Sequence, residues 1–226
     1  YGGDAAGQSV ANTLQARSMS WAVAARNAED GISAAQTAEA ALLEIAALAQ
    51  RLRELGIQAD NAALLNDDAD EAAMNAEAEA IYDSIDAIVS KATFNGVSLI
   101  GTGPKELYIG VTDDGASGVT LTTAETLTAV TSYTQAISAD VTADVTLKEV
   151  ALSLGNVAAG IAALKGRQAV AYSASANLAA AAARIEDTDF AKETANLAKN
   201  SVLNQSAMAM VAQANQAQSA ILAVLQ

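Results

Sequence analysis

The sequence predicts a mainly α protein, in which long antiparallel helices form a coiled-coil-like rod with a small β-hairpin insert. Apolar residues recur at steps of three and four towards both ends of the chain, whereas Gly, Thr and Val dominate its middle. Of the 226 residues, 52% are hydrophobic but only 4% are aromatic, because much of the apolar share is alanine. Alanine favours helices and allows them to pack closely.

Residues 1–93 are predicted to form an N-terminal helical arm. Two stretches of this arm carry apolar residues at alternating steps of three and four, which places them on one face of each helix. The predicted core seam of the arm consists of Ile45, Leu48, Leu52, Ile81 and Ile85. An acidic run at 66–71 lacks the order of a calcium loop, which needs alternating oxygen ligands, a Gly for the turn and a later Glu, so we expect a helix start there and no metal site.

Residues 94–144 are predicted to form a β-hairpin and a short variable insert. Two β-prone runs, 107–111 and 119–122, flank Asp113-Asp114-Gly115, which is a typical turn sequence. Gly101 and Gly103 begin a dinucleotide-like pattern, but the third glycine is missing and no helix is expected to open there. We therefore expect no nucleotide site.

Residues 145–186 are predicted to form the long C-terminal helix of the rod, followed by a terminal helix at 187–226. The heptad register of the 145–186 helix continues for about 57 Å without interruption, and a helix of that length needs packing partners along its whole length. Its predicted seam includes Leu154, Val157, Ile161, Leu164, Leu178 and Ile185. The terminal helix carries few charges, which is not typical of a solvated surface helix.

Composition excludes several classes of function. The chain has no Cys and no His, so we expect no enzyme, no catalytic residue, no cofactor and no bound metal. The formal net charge of −14 disfavours nucleic acid and membrane surfaces as partners. No uninterrupted apolar run reaches the roughly 18 residues of a membrane span, and the first residues do not resemble a secretory signal.

Several ordered motifs resemble bacterial flagellin. At the N-terminal end they are Asp4-Ala5-Ala6-Gly7, Arg26-Asn27-Ala28-Glu29-Asp30-Gly31-Ile32-Ser33, Gln50-Arg51-Leu52-Arg53-Glu54-Leu55 and Phe94-Asn95-Gly96. At the C-terminal end they are Ala183-Arg184-Ile185-Glu186-Asp187-Thr188-Asp189-Phe190-Ala191 and Ala212-Gln213-Ala214-Asn215-Gln216. Members of this family normally carry a further helix before the first motif, so the resemblance implies a truncated or processed form, or a sequence that starts late. The short middle of the chain implies that the large outer domains of the family are absent.

The resemblance implies a structural subunit that polymerises into the helical flagellar filament for swimming motility. It would be exported through the flagellum's own channel to the exterior, with itself, an export chaperone and the filament cap as partners. The terminal helix would belong to the inner tube, with Leu197, Leu203, Val211, Asn215, Ile221, Leu222 and Leu225 in its assembly contacts. A hook–filament junction protein and a secreted coiled-coil adhesin are the alternatives.

The resemblance also implies a surface that animal Toll-like receptor 5 recognises. That patch comprises Gln50, Arg51, Leu52, Arg53, Glu54, Leu55, Gln58 and Glu77. Periodicity alone offers a plainer interpretation, in which Leu52 and Leu55 lie on the seam and the charged residues are solvated or contact a neighbouring subunit. Both interpretations can hold at once.

Overall fold

The computed structural model describes residues 5–61, 68–101, 103–127, 136–187 and 190–224. The helices are α1 (Ala5–Ala59), α2 (Asp68–Lys91), α3 (Ala139–Glu186) and α4 (Phe190–Val224), and a 3-10 turn at Ala136–Ser138 precedes α3. The strands are β1 (Thr93–Phe94), β2 (Val97–Ser98), β3 (Lys105–Gly110) and β4 (Gly118–Ala124). The prediction of a mainly α fold with long helices and a small β-hairpin insert is confirmed.

The chain divides into two compact units. The larger unit is Leu14–Ala179, and the smaller unit combines the residues up to Thr13 with those from Ala180 onwards. The larger unit therefore contains most of α1 and α3, all of α2 and all four strands. The smaller unit contains α4 and the outer ends of α1 and α3, of which Ala11 and Ala182 are buried.

In the larger unit α1 and α3 pack side by side in opposite directions. Towards the start of α1, Ser18 Oγ donates a hydrogen bond to the carbonyl oxygen of Ser175 at 2.8 Å. Towards its end, Arg53 Nε contacts Asp144 Oδ1 at 2.7 Å. Residue numbers thus rise along α1 as they fall along α3, which establishes an antiparallel pair of long helices.

The buried face of α3 follows the heptad, but the most deeply buried residues are not all the large ones. Val157 and Leu164 of the predicted seam are 1% and 0% exposed, whereas Leu154, Ile161 and Leu178 are only half-buried. The adjacent buried positions carry small side chains, namely Ala143, Thr146, Ser153 and Gly160. These small residues bring neighbouring backbones close, and Leu154 and Ile161 lie at the edge of the core.

Ile185 differs from the predicted seam. Its side chain is 42% exposed, and it belongs to the smaller unit. Because α3 ends at Glu186, no further helical turn shields this side chain.

In the N-terminal arm the predicted seam residues lie in or against the core. Ile45, Leu52, Ile81 and Ile85 are at most 8% exposed, and Leu48 is half-buried against the same core.

The β3–β4 hairpin lies against α1 and α3 of the larger unit. Its strands are antiparallel, with Leu107 opposite Leu121 and Ile109 opposite Val119. A Cβ on Gly160 of α3 would lie 2.4 Å from Leu121 Cδ1, so a larger residue there would force the Leu121 side chain to move. On α1, the Asn27 amide donates to the carbonyl oxygen of Gly110 at 3.1 Å.

A second, smaller strand pair was not predicted from the sequence. β1 and β2 are joined by Asn95 and Gly96, whose φ angles are 49° and 80°. Two consecutive positive φ angles are the geometry of the two-residue turn that Asn-Gly favours. The signal was therefore present in the sequence, although its strands have only two residues each.

Two helices are long and apolar enough, by length and composition alone, to cross a membrane. They extend over Ala6–Ala59 and Ala136–Glu186, and the sequence-based expectation did not anticipate them. That expectation considered uninterrupted apolar runs, whereas alanine raises the average of a stretch that also contains polar residues. Both helices contribute one face to the core, and core helices pass the same test.

Glycine positions give a sharp test of the helix packing. A Cβ on Gly56 of α1 would lie 2.3 Å from the backbone nitrogen of Asp140, whereas a Cβ on Gly155 of α3 meets nothing within 4 Å. Gly56→Ala should therefore destabilise the protein by about 1–3 kcal/mol through overpacking, and Gly155→Ala should stabilise it by about 0.5–1 kcal/mol. Thermal unfolding followed by circular dichroism checks both. A Gly56→Ala variant as stable as Gly155→Ala would contradict the packing.

Candidate functional site

A charged cluster lies on the exposed surface where α1 meets α2. Arg51 Nε and Nη2 donate hydrogen bonds to Glu77 Oε1 at 2.8 and 2.6 Å, and Arg51 Nη1 donates to Glu54 Oε2 at 3.0 Å. The hydrogen bond to Glu77, followed by the one to Glu54, raises the pKa of Arg51 above its ordinary value. The cluster is thus a guanidinium held in place by carboxylates from two helices.

The predicted receptor patch separates into a surface part and a buried part. Gln50, Arg51, Arg53, Glu54, Gln58 and Glu77 are exposed. Leu52 and Leu55 are 1% exposed and belong to the hydrophobic core. They lie on the inward face because they share the three-and-four spacing of the seam. Only the polar members of the patch are accessible on the folded unit.

Two further arginines connect α1 to the other elements of the larger unit. Arg53 Nε contacts Asp144 of α3, and Arg17 Nε contacts Asp113 of the β3–β4 loop, each at 2.7 Å. Together with Arg51 and Glu77, these ion pairs join α1 to α2, α3 and the hairpin. Each pair is partly exposed, so its contribution is to orientation more than to stability.

A second candidate surface is α4 of the smaller unit. Every side chain described in this helix, from Thr194 to Ala220, is exposed. Leu197, Leu203 and Val211 are 70%, 56% and 61% exposed, and Asn215 is exposed as well. The side chains of Ile221, Leu222 and Leu225, which belong to the same prediction, lie outside the described residues. Val202 and Met210, which sequence reasoning did not select, are also exposed on this helix.

The six large apolar side chains described in α4 fall on two roughly opposite sides of the helix. At 100° per residue, three of them share one side and three share the other. The first apolar face consists of Leu197, Met208 and Val211, and the second apolar face consists of Val202, Leu203 and Met210. No charged residue occurs from 200 to 224. A surface helix that remains in water normally has one apolar side and one charged side.

A catalytic or metal centre is not indicated within the described ranges. Among the residues from 5 to 224 that the structure describes, no group of three or more Asp and Glu side chains is placed to hold a metal ion. Of the acidic run at 66–71, residues 66 and 67 lie outside the described ranges, and Asp68 begins α2. The predicted helix start at 66–71 thus overlaps the first turn of α2, which begins at Asp68.

Comparison with known proteins identifies the family. The profile described as "Bacterial flagellin N-terminal helical region" matches residues 2–102, and the one described as "Bacterial flagellin C-terminal helical region" matches residues 146–225. The chain belongs to the bacterial flagellin family. The stretch between the two matches contains β3, β4 and the start of α3, and its short length fits a flagellin without a large outer domain.

Individual flagellins match along nearly the whole chain. The flagellin of Halalkalibacterium halodurans is 35% identical over 99% of this chain and 85% of its own length, and that of Bacillus subtilis is 32% identical over 99% and 87%. Flagellin FlaB2 of Treponema pallidum is 32% identical over 99% and 86%. A crystal structure of Bacillus cereus flagellin aligns with a TM-score of 0.47 and 24% identity, covering 76% of this chain and 94% of that one.

These matches establish the function at the level of the family. This flagellin is a structural subunit of the flagellar filament, and it polymerises with other copies of itself. Flagellin is a structural family and is not known for an enzymatic activity. The matches are to flagellins, and they favour a filament subunit over the two alternatives, a hook–filament junction protein and an adhesin.

The Arg51 cluster can be tested directly in solution. Glu77→Gln removes the carboxylate that accepts two of the Arg51 hydrogen bonds, so the Arg51 Nε–H should exchange with water severalfold faster. Nitrogen-resolved NMR of the arginine side chains measures this exchange. Glu71→Gln, at an exposed position of the same helix, is the control and should leave the rate unchanged. Equal rates in both variants would show that Glu77 does not hold Arg51.

Proposed function

We propose that α4 is the segment through which copies of this flagellin pack on one another as the filament grows. The observation that carries the proposal is the exposure of every described side chain of this helix, from Thr194 to Ala220, together with two apolar faces and the lack of a charged residue from 200 to 224. A single partner helix covers one side of such a helix, whereas neighbours in a polymer can cover both. Open, repeated contacts of one surface with a different surface are those that build helical polymers.

The free energy available from this contact is considerable. Burying an exposed Leu, Val or Met side chain contributes about 1.5–3 kcal/mol, and the two apolar faces of α4 carry six such side chains. Ordering costs on assembly offset part of this gain. The Asn and Gln side chains between the apolar positions, such as Asn204 and Gln213, carry no charge that would have to be desolvated.

The proposal includes the route of the protein to its place of assembly. We propose that the chain is exported to the exterior of the cell through the flagellar channel, with an export chaperone that covers α4 before assembly and a cap that directs its insertion. The exposed apolar surface of α4 supports the need for a covering partner. We also propose that it has no catalytic role, which the absence of Cys and His supports.

A charge on α4 should block assembly without unfolding the subunit. Leu203 is 56% exposed in the single chain, so Leu203→Asp should leave the thermal midpoint of unfolding nearly unchanged. In a packed polymer the same carboxylate would be buried without a partner, which costs several kcal/mol. The fraction of protein pelleted by ultracentrifugation, with electron microscopy of the pellet, should fall at least tenfold. Leu203→Met is the matched control and should pellet as the wild type does.

A wild-type level of filaments from Leu203→Asp would show that α4 is not buried on assembly. Equal loss from Leu203→Met would indicate a general sensitivity of the helix to substitution.

A second role is favoured by the Arg51 cluster. We propose that animal Toll-like receptor 5 recognises the exposed part of the predicted patch on the unassembled subunit. Arg51, Glu54 and Glu77 present three charges on one surface at fixed separations, and charge-assisted hydrogen bonds of this kind give an interface its specificity. Leu52 and Leu55 would act only by positioning the helix, because they are buried.

The receptor proposal predicts a selective loss of signalling. Arg51→Ala and Glu77→Ala should each raise the protein concentration needed for half-maximal response of receptor-bearing reporter cells by about tenfold. Arg17→Ala, which breaks an ion pair with Asp113 elsewhere on α1, should leave the response unchanged. Unaltered signalling by both cluster variants, with correct folding confirmed by circular dichroism, would overturn the proposal.

A further inference from the structure

We infer that Met208 and Met210 form an oxidation-sensitive control point, at which peroxide converts the subunit into a form that cannot join the filament. The inference rests on the proposed role of α4. It starts from the distribution of the four methionines of the chain. Met208 and Met210 are 63% and 72% exposed, and Met19 is 62% exposed, whereas Met74 is 7% exposed in the core of the larger unit.

The two methionines of α4 occupy both sides of the helix. Met208 belongs to the first apolar face, with Leu197 and Val211, and Met210 belongs to the second apolar face, with Val202 and Leu203. A change at these two positions therefore alters both surfaces that the proposed assembly would bury. No other feature of the described part of α4 places a reactive side chain on each face.

The chemistry is a two-electron oxidation by a hydroperoxide. The thioether sulfur attacks one peroxide oxygen, the O–O bond breaks, a sulfur–oxygen bond forms, and the other oxygen leaves as water after proton transfer. Methionine is oxidised to its sulfoxide, and one equivalent of hydrogen peroxide is reduced. The product is a polar, chiral side chain in place of a flexible apolar one, so it requires hydrogen bonds that an apolar contact cannot supply.

Exposure decides when this reaction can occur. In the unassembled chain both sulfurs are open to solvent, so oxidation should be fast and should leave the folded core intact. In the filament the same side chains would be covered, and oxidation should be slow. The device would therefore act on subunits that have not yet been incorporated, while a filament already built would resist the same concentration of peroxide.

The experiment uses the full chain and hydrogen peroxide as the probe. After treatment and removal of peroxide, peptide mass spectrometry should show Met208, Met210 and Met19 oxidised at least tenfold faster than Met74. The pelleted fraction should fall about tenfold, while thermal unfolding stays unchanged. Methionine sulfoxide reductases of both stereochemical classes should restore pelleting, because each class reduces one epimer. In assembled protein, Met208 and Met210 should react at least tenfold more slowly than in the free chain.

Variants separate the two α4 methionines from the third exposed one. The double variant Met208→Leu/Met210→Leu keeps both apolar faces, so it should assemble and should no longer lose pelleting after peroxide. Met19→Leu is the matched control and should remain as sensitive as the wild type. Reversal of these two results would place the sensitive position on α1 and overturn the inference.

The outcomes distinguish this inference from the proposed function. If the untreated chain forms filaments and the fully oxidised chain forms them equally well, the oxidation control point is wrong while the role of α4 stands. If Leu203→Asp assembles normally, or if the untreated chain forms no filaments, the proposed assembly role of α4 fails, and the oxidation control point fails with it.

Discussion

The close antiparallel packing of α1 on α3 is the constraint on which the rest of the larger unit depends. The two helices approach closely because the facing positions are small: Ser18 and Ser175 donate reciprocal hydrogen bonds to each other's carbonyl oxygens, and Gly56 lies against the backbone of Asp140. A shift of register by one helical turn would bring larger side chains into these positions and break both serine hydrogen bonds. The register in turn places Arg53 opposite Asp144 and positions the helix surfaces on which the hairpin lies.

Polar groups inside this packing are paired, which explains how a core with so few large side chains remains specific. Thr123 donates to the carbonyl oxygen of Leu99 at 2.7 Å, and Ser153 accepts from the backbone nitrogen of Glu125 at 2.9 Å. An unpaired buried hydroxyl would cost about 1–3 kcal/mol. The first bond joins β4 to the segment that follows β2, and the second joins the end of β4 to α3, so a displaced strand would lose both bonds.

Sequence periodicity predicted the helices, the hairpin and the inward faces, but it could not predict the depth of burial. Heptad spacing indicates which side of α3 faces inward, and Val157 and Leu164 are buried accordingly. It also favours large residues, so it selected Leu154 and Ile161, whereas Gly160 is more deeply buried because Leu121 of the hairpin fills the space above it. Burial at such positions depends on a distant strand, and a local pattern contains no information about that strand. The motif around Arg51 predicted a recognition surface that included Leu52 and Leu55. In the structure these two leucines face the core and not that surface.

The seam of the larger unit and the apolar faces of α4 differ in how far they are buried within one chain. This difference is consistent with a subunit that folds stably before it polymerises. In the larger unit the apolar seam packs into the core, and Arg17, Arg51 and Arg53 of α1 have partners on the hairpin, α2 and α3. On α4 the described side chains are exposed, and those from 200 to 220 carry no charge. Changes in the seam should therefore act on folding, because the seam is satisfied before assembly. Under the proposed role of α4, changes on this helix should act on polymerisation, since its apolar faces would gain free energy when a neighbouring subunit covers them. If α4 has the proposed role, the subunit can complete its folded core without first forming the contacts that would hold the filament together.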